Sequence, residues 1–499
     1  MKKIITLAII GAAVISAIAY ANDFKSAGDK TTYTFDSLCK IDTSGVTKQS
    51  ENVYSVAKSF TISAGDTLRV DNGVTLKLGD KVQIVVAGVA DFSAVDTATI
   101  TKIDTATTPT GLQMYSDQPV TINNVTFDYC ALSYGSTAPL TMSNCTFQNV
   151  VNTSSALSFF RSSDGNSVSN CRFISNVGSG IQSGLGLELG IEIKDNIFYD
   201  NNTKNTNRPQ INLNSGGDYD VTITGNTVTG TKRTKVGGIG LGNMAGIGGT
   251  NKVDVENNIV KDCRYGFTSI GIMNVILKNN SFIDDRYDVS SMSGGSGISL
   301  YDPNYKQTAM ITGNRIEGNL WGITVIGCGN VNLGKTDDGV SAADYNPGNN
   351  IFKDNGNDTT GYNLTAGHLF DLFNNSSNTV YAQGNTWNVD DQADSVAISK
   401  VIYDVADNSA LGEVVYMSRK TGISPITVPH QNVYFDASSY SIISNDNIEA
   451  AYVYATSGQM VYANTVRNTS LDLSTLPNGF YIAKVITGSG TSTVKFIKR

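Results

Sequence analysis

The chain has 499 residues, a net charge of −8 and a charged fraction of 16%. Soluble domains usually carry ~25% charged residues; this chain is rich instead in Gly, Asn, Ser and Thr, which suits a turn-dense all-β protein and argues against a helical one. The acidic balance, with no run of like charges and no basic stripe along the sequence, argues against a nucleic-acid partner. Cys39, Cys130, Cys145, Cys171, Cys263 and Cys328 show no C-x-x-C spacing, and the two histidines are His368 and His430. A zinc site of thiolates and imidazoles is therefore not expected.

In chain order, residues 1–21 read as a secretory signal. Lys2 and Lys3 form the basic start, Ile4 to Ile18 the apolar run, and Ala19-Tyr20-Ala21 the A-x-A cleavage site. The apolar run falls short of the ~20 residues that a spanning helix needs. Residues 22–57 are expected to cap an open sheet edge. From 58 the chain alternates strongly, with Leu68/Val70, Val74/Leu76/Leu78 and Val82/Ile84/Val86 separated by Asp71-Asn72-Gly73 and Gly79-Asp80.

A nine-residue frame then recurs ten times, starting at Ile122, Met142, Val168, Ile193, Ile223, Val255, Leu277, Ile311, Pro347 and Ala382. Its sixth position is Phe127, Phe147, Phe173, Phe198, Val228, Val260, Phe282, Ile316, Phe352 or Trp387. Its fourth position reads Val125, Cys145 and Cys171, then Asn196, Asn226, Asn258, Asn280, Asn314, Asn350 and Asn385. Asparagine repeated at one place in the frame predicts a stacked ladder, each amide bonding the next coil while the same residue takes a left-handed turn. A looser ninth-position column holds Asn176, Asn201, Asp285, Asn319, Asn355 and Asp390. A second strand per coil is marked by Gly180-Ile181, Gly238-Ile239, Gly266-Phe267, Gly297-Ile298 and Gly322-Ile323. Short segments bounded by Gly and Asn are strands. Across residues 58–397 the pattern resembles the right-handed parallel β-helix superfamily that includes pectate lyases and polygalacturonases, a fold that hosts many functions.

Residues 398–431 lose the frame and are expected to form a cap and linker around Pro425 and Pro429. From 432 the alternation becomes antiparallel, with Ala451-Tyr452-Val453-Tyr454, a Ser457-Gly458 turn and Met460-Val461-Tyr462, which predicts a small β-sandwich. Leu476-Pro477-Asn478-Gly479-Phe480-Tyr481 followed by the terminal Val494-Lys495-Phe496-Ile497-Lys498 resembles the type A sorting domain of type IX secretion. The resemblance implies that Gly479, Tyr481, Lys495, Phe496 and Lys498 carry the sorting signal. It also implies the secretion machinery as partner, a secreted or outer-membrane cell-surface location and contact with lipopolysaccharide.

The polygalacturonase signatures are missing. Acidic pairs stand at Asp284-Asp285, Asp337-Asp338 and Asp390-Asp391, but there is no N-T-D, Gly367-His368-Leu369 breaks G-H-G, and Arg315-Ile316-Glu317 stands where R-I-K is sought. A pectate-lyase-like site needs acidic Ca²⁺ ligands and an arginine base on neighbouring coils. The frame stacks Asp262 on Asp284, and Lys232, Arg264 and Arg286 in a second column, beside Tyr287 and Asp288. One reading is a uronate lyase with Arg264 or Arg286 as base and Asp262 and Asp284 as Ca²⁺ ligands; the other is a surface ladder of ion pairs, each contributing ~0–1 kcal/mol. Tyr265, Tyr287 and Trp321 are the candidate glycan contacts. Cys145 and Cys171 share a column on adjacent coils, within reach of a disulfide or stacked as thiols. The sequence reading is thus an exported, monomeric β-helix that binds glycans or surfaces without a cofactor, with the lyase as its alternative.

Overall fold

The computed structural model describes residues 23–93, 95–151, 154–249, 251–290, 294–356, 370–417, 433–465 and 467–498. The signal segment, both histidines and residues 418–432, with Pro425 and Pro429, lie outside these. The chain divides into two units, residues 1–419 and 420–499.

In the first unit, three parallel sheets of 14, 13 and 11 strands run the length of the described coils. Most coils contribute one short strand to each sheet, the first coils instead placing Thr67–Arg69 and Val89–Asp91 in a separate three-stranded sheet with Thr32–Tyr33, and the register is kept between most neighbouring coils. Phe127 pairs with Phe147, Phe147 with Phe173, and Phe173 with Phe198. Their rings stack nearly parallel at centroid distances of 4.4, 5.1 and 4.8 Å. The sixth frame position is therefore an inward ladder, and Phe352 on Trp387 at 4.8 Å repeats it at the far end. Ile181, Ile239, Phe267, Ile298 and Ile323, all fully buried, line the facing 14-strand sheet. The glycine before each of these has a steric reason. A Cβ on Gly180 would sit 2.7 Å from the Phe198 ring, and one on Gly266 2.6 Å from the Phe282 ring.

The fourth-position ladder is present in full from Asn196 to Asn385. Each Asn up to Asn350 donates both its backbone N–H and its Nδ2 to the Oδ1 of the Asn one coil on, at 2.9 to 3.0 Å. The left-handed residue is not the ladder Asn, as expected, but the one before it: Asp195, Gly225, Asn257, Asn279, Gly313, Asn349 and Gly384 all have positive φ. Turning one residue early leaves the ladder amide in line with the axis of the stack. The ninth-position ladder holds Asn176, Asn201, Asp285, Asn319 and Asn355 as expected, and departs from the expected set at two places. Gln210 takes the place after Asn201, and Asp371, not Asp390, accepts from Asn355 at 3.1 Å.

The ends close the core. Phe35 and Leu38, on the short helix Phe35–Leu38, are buried over the first coil, and the antiparallel pair Val46–Ser50 and Val53–Val56 terminates the 13-strand sheet. Cap strands also extend the sheets backwards, Phe24–Lys25 pairing with Phe60–Thr61. At the other end the stretch expected as cap and linker carries one more partial coil: Ile402–Tyr403 and Val414–Val415 pair with Leu372–Phe373 and Val380–Tyr381. Strands of two residues without a frame asparagine leave no periodic signal. The frame copy at Pro347 is also split, since its preceding strand, Asn330–Gly334, is separated from it by a loop closed through Lys335 and Asn346.

The second unit is antiparallel throughout. The fifteen-residue strand Ser441–Ala455 pairs with Val433–Asp436, Met460–Asn464, Asn468–Asp472 and Gly479–Thr487, with register breaks at Ile443/Ile448, Ile448/Ala450 and Val453/Tyr454. Such irregularities bend a strand, and one long strand thereby serves both halves of a six-stranded sheet around its own core of Ile442, Val453, Leu473 and Val485.

Candidate functional site

Asp262 and Asp284 follow the paired strands Ile259–Lys261 and Ser281–Ile283, and so lie on adjacent coils as expected. Both are left-handed, with φ of 58° and 54°, as are Asp200 and Asp354 in the same turn. Asp tolerates this conformation better than most residues, so the turn itself accounts for the acidic column. Asp284 Oδ1 is 3.3 Å from Arg286 Nη2, and the Tyr287 hydroxyl donates to Asp262 Oδ1 at 3.5 Å. Arg264 turns elsewhere: its Nε donates to Asp288, whose side chain is 2% exposed, and its Nη1 to Asn207. Asn207 lies in a loop outside the frame, so nothing in the repeat points to it. Lys232 leaves the expected column with Arg264 and Arg286. It is left-handed itself, at 63°, and its N–H donates to the Asp262 carbonyl at 3.1 Å, because Gly230 and Thr231 lengthen the preceding turn.

This geometry constrains the chemistry. Both candidate bases are engaged by carboxylates, Arg264 by Asp288 and Arg286 by Asp284. Among the described residues no three His, Cys, Asp or Glu side chains gather as a metal-binding group. Two carboxylates, one of them turned to Arg286, are a poor fit to a cation that takes six to eight oxygens. Trp321 is buried at 8% exposure and packs on Phe373 at 5.1 Å and Phe370 at 6.2 Å, so its ring is not presented to a sugar. Tyr265 and Tyr287 are half-buried.

Cys145 and Cys171 are free thiols, as are the other cysteines. The disulfide reading is replaced by a ladder role: Cys171 Sγ accepts the Cys145 N–H at 3.4 Å, and Cys145 Sγ lies 3.2 Å from the Ser143 carbonyl. Contact with the Cys145 sulfur, together with burial, pushes the Cys171 thiol up.

In the C-terminal sheet four of the five motif residues have structural positions. Gly479 pairs with Lys498 across the last two strands. The Tyr481 hydroxyl donates to the Pro477 carbonyl at 2.8 Å, and Phe496 stacks on Phe435 at 4.2 Å. The Lys498 ammonium, 7% exposed, meets the carbonyls of Ser474 and Leu476. Lys495 is the exposed member.

Residues 432–499 match the family model described as secretion system C-terminal sorting domain, and residues 84–247 that of the right handed beta helix region. The chain is a right-handed parallel β-helix with a type IX secretion sorting domain. Curated proteins give no match. Among solved structures, this β-helix protein is similar to the periplasmic alginate epimerase AlgG, at 11% identity over 78% of this chain and 83% of that one, with a TM-score of 0.43. It is also similar to a mutant tailspike protein of E. coli bacteriophage HK620, at 13% identity over 89% and 80%, with a TM-score of 0.39. The fold of the β-helix protein rests on its own strand ladders and on the family match, and its chemistry on its own side chains.

Proposed function

We propose that this exported β-helix is displayed on the cell surface by the type IX machinery, attached there to lipopolysaccharide, and binds glycans without cleaving them. The observation that carries the reading is the sorting domain, matched over residues 432–499 and folded around its own motif residues. Support for binding over cleavage comes from the ion pairs of Arg264 with Asp288 and Arg286 with Asp284, which engage both candidate bases. The test is retention of the full chain on a panel of uronate and neutral polysaccharides, with absorbance of unsaturated products read in parallel. Retention without products is the expected result. Unsaturated products that vanish in Arg264→Lys or Arg286→Lys would establish the lyase alternative, with Asp262 and Asp284 as Ca²⁺ ligands. A chain that neither binds nor cleaves any of the panel overturns the reading.

A further inference from the structure

Loops leaving the 13-strand sheet assemble a patch of cations of which the sequence shows only a part, in Lys232-Arg233-Thr234-Lys235. Loop 200–208 and loop 230–236, one coil apart, are joined by Asn205, whose Oδ1 accepts the Lys235 N–H at 3.0 Å and whose Nδ2 donates to Thr234 Oγ1 at 3.3 Å. The next coil joins them through the Lys232 N–H to the Asp262 carbonyl, 3.1 Å, and the Arg264 N–H to the Val236 carbonyl, 2.8 Å. On this corner Lys204, Lys232, Lys235 and Lys261 are exposed, and among the described residues none of them makes an ion pair. Of the nearby carboxylates, Asp200 holds Arg233 at 2.8 Å, Asp284 holds Arg286 and Asp288 holds Arg264, while Asp262, which accepts from the Tyr287 hydroxyl, offsets part of the Lys232 charge. A chain of net charge −8 thus concentrates positive charge at one corner of three successive coils.

We infer that this corner is a docking surface for an acidic polysaccharide, one with carboxylate or sulfate groups on successive sugars. The inference rests on the glycan-binding reading and names its site and ligand class. Coils stack ~4.8 Å apart, so the lysines are strung along the axis and do not converge on one point. A small anion would meet one or two of them, whereas an extended polyanion meets all. Single-stranded nucleic acid has the same charge but needs open aromatic faces for its bases. Here the Tyr287 ring lies 5.4 Å from the Lys232 ammonium, and the Tyr265 ring lies against Gly237, where a Cβ would be 2.1 Å away. Lysines are strongly hydrated point charges, suited to a flexible, wet contact of this kind.

The experiment measures binding of the full chain to polygalacturonate, to neutral dextran and to a single-stranded oligonucleotide at low and high salt. The same is done for the triple variant Lys204→Gln, Lys232→Gln and Lys235→Gln. Binding to polygalacturonate that weakens with salt, and weakens at least about tenfold in the triple variant at an unchanged melting midpoint, is the expected result. A second triple variant with Lys→Arg at the same positions keeps the charge and should keep the binding, which separates charge from misfolding. Undiminished polygalacturonate binding by the Lys→Gln variant overturns the corner and leaves the glycan-binding reading standing. Binding to dextran alone, or an oligonucleotide held as tightly as polygalacturonate, overturns the acidic-glycan assignment. A wild-type chain that holds neither polysaccharide overturns the inference and the glycan-binding reading together.

Discussion

Asp285 occupies a ladder position built for an amide. Its Oδ1 accepts the Cys263 N–H at 2.9 Å and its own N–H donates to Asn319 Oδ1 at 2.8 Å, while Oδ2 is buried without a partner. At the next rung Asn319 uses its Nδ2 for both the Asn355 Oδ1 and the Phe282 carbonyl. Burial, with the negative charge of Asp262 and Asp284 nearby, pushes the Asp285 carboxyl well above the usual range. An acid whose folded value is raised leaves stability intact below its unfolded value, ~3.9, and lowers it as pH rises towards the folded one. Asp285→Asn should therefore raise stability at pH 7 by roughly 1–3 kcal/mol, the cost of an unmet buried polar group, and the gain should vanish near pH 3.5. Thermal midpoints of both proteins across pH decide it; a variant that is less stable at pH 7, or a gain independent of pH, would sink the account.

At the scale of the coil, the ladders join one coil to the next by side chain as well as by backbone. Asn280 accepts from both the N–H and the Nδ2 of Asn258 and donates to Asn314 Oδ1 and the Val255 carbonyl. Replacing Asn280 by Leu strands several buried polar groups at once, and should cost at least ~1 kcal/mol. An unchanged denaturation midpoint would show that the ladder is decorative. The Asn column, the Phe stack and the Gly-aliphatic strand were legible because each recurs at a fixed place in a frame. The split copy at Pro347, the Gln210 and Asp371 rungs and the coil at 402–415 were not, since each reaches its position through a loop of its own length. The candidate site divides in the same way. Stacking of Asp262 on Asp284 follows from the frame, whereas the Arg264 contacts with Asp288 and Asn207 and the basic corner depend on loop paths that periodicity does not encode.

For the whole molecule the separate cores of the two units set up the remaining prediction. The β-helix core is closed by its own N-terminal cap and carries its own ladders, so it should fold without the sorting domain. Deleting Val494–Arg499 removes half of the strand Gly490–Lys498, with the buried Val494 and Phe496 and the Lys498 contacts, and so dismantles the C-terminal sheet. The truncated chain is expected to remain a folded β-helix held in the periplasm, scored by cell fractionation and by protease shaving of intact cells. Since Phe496, Tyr481 and Lys498 act through the fold, the deletion alone cannot separate recognition from folding. The exposed Lys495 can: Lys495→Glu leaves the core untouched, and a loss of surface display at an unchanged melting midpoint would mark its face of the sheet as the surface that the machinery reads. Undiminished display of the truncated chain would remove the sorting interpretation, because a sheet without its last strand could not serve as the address.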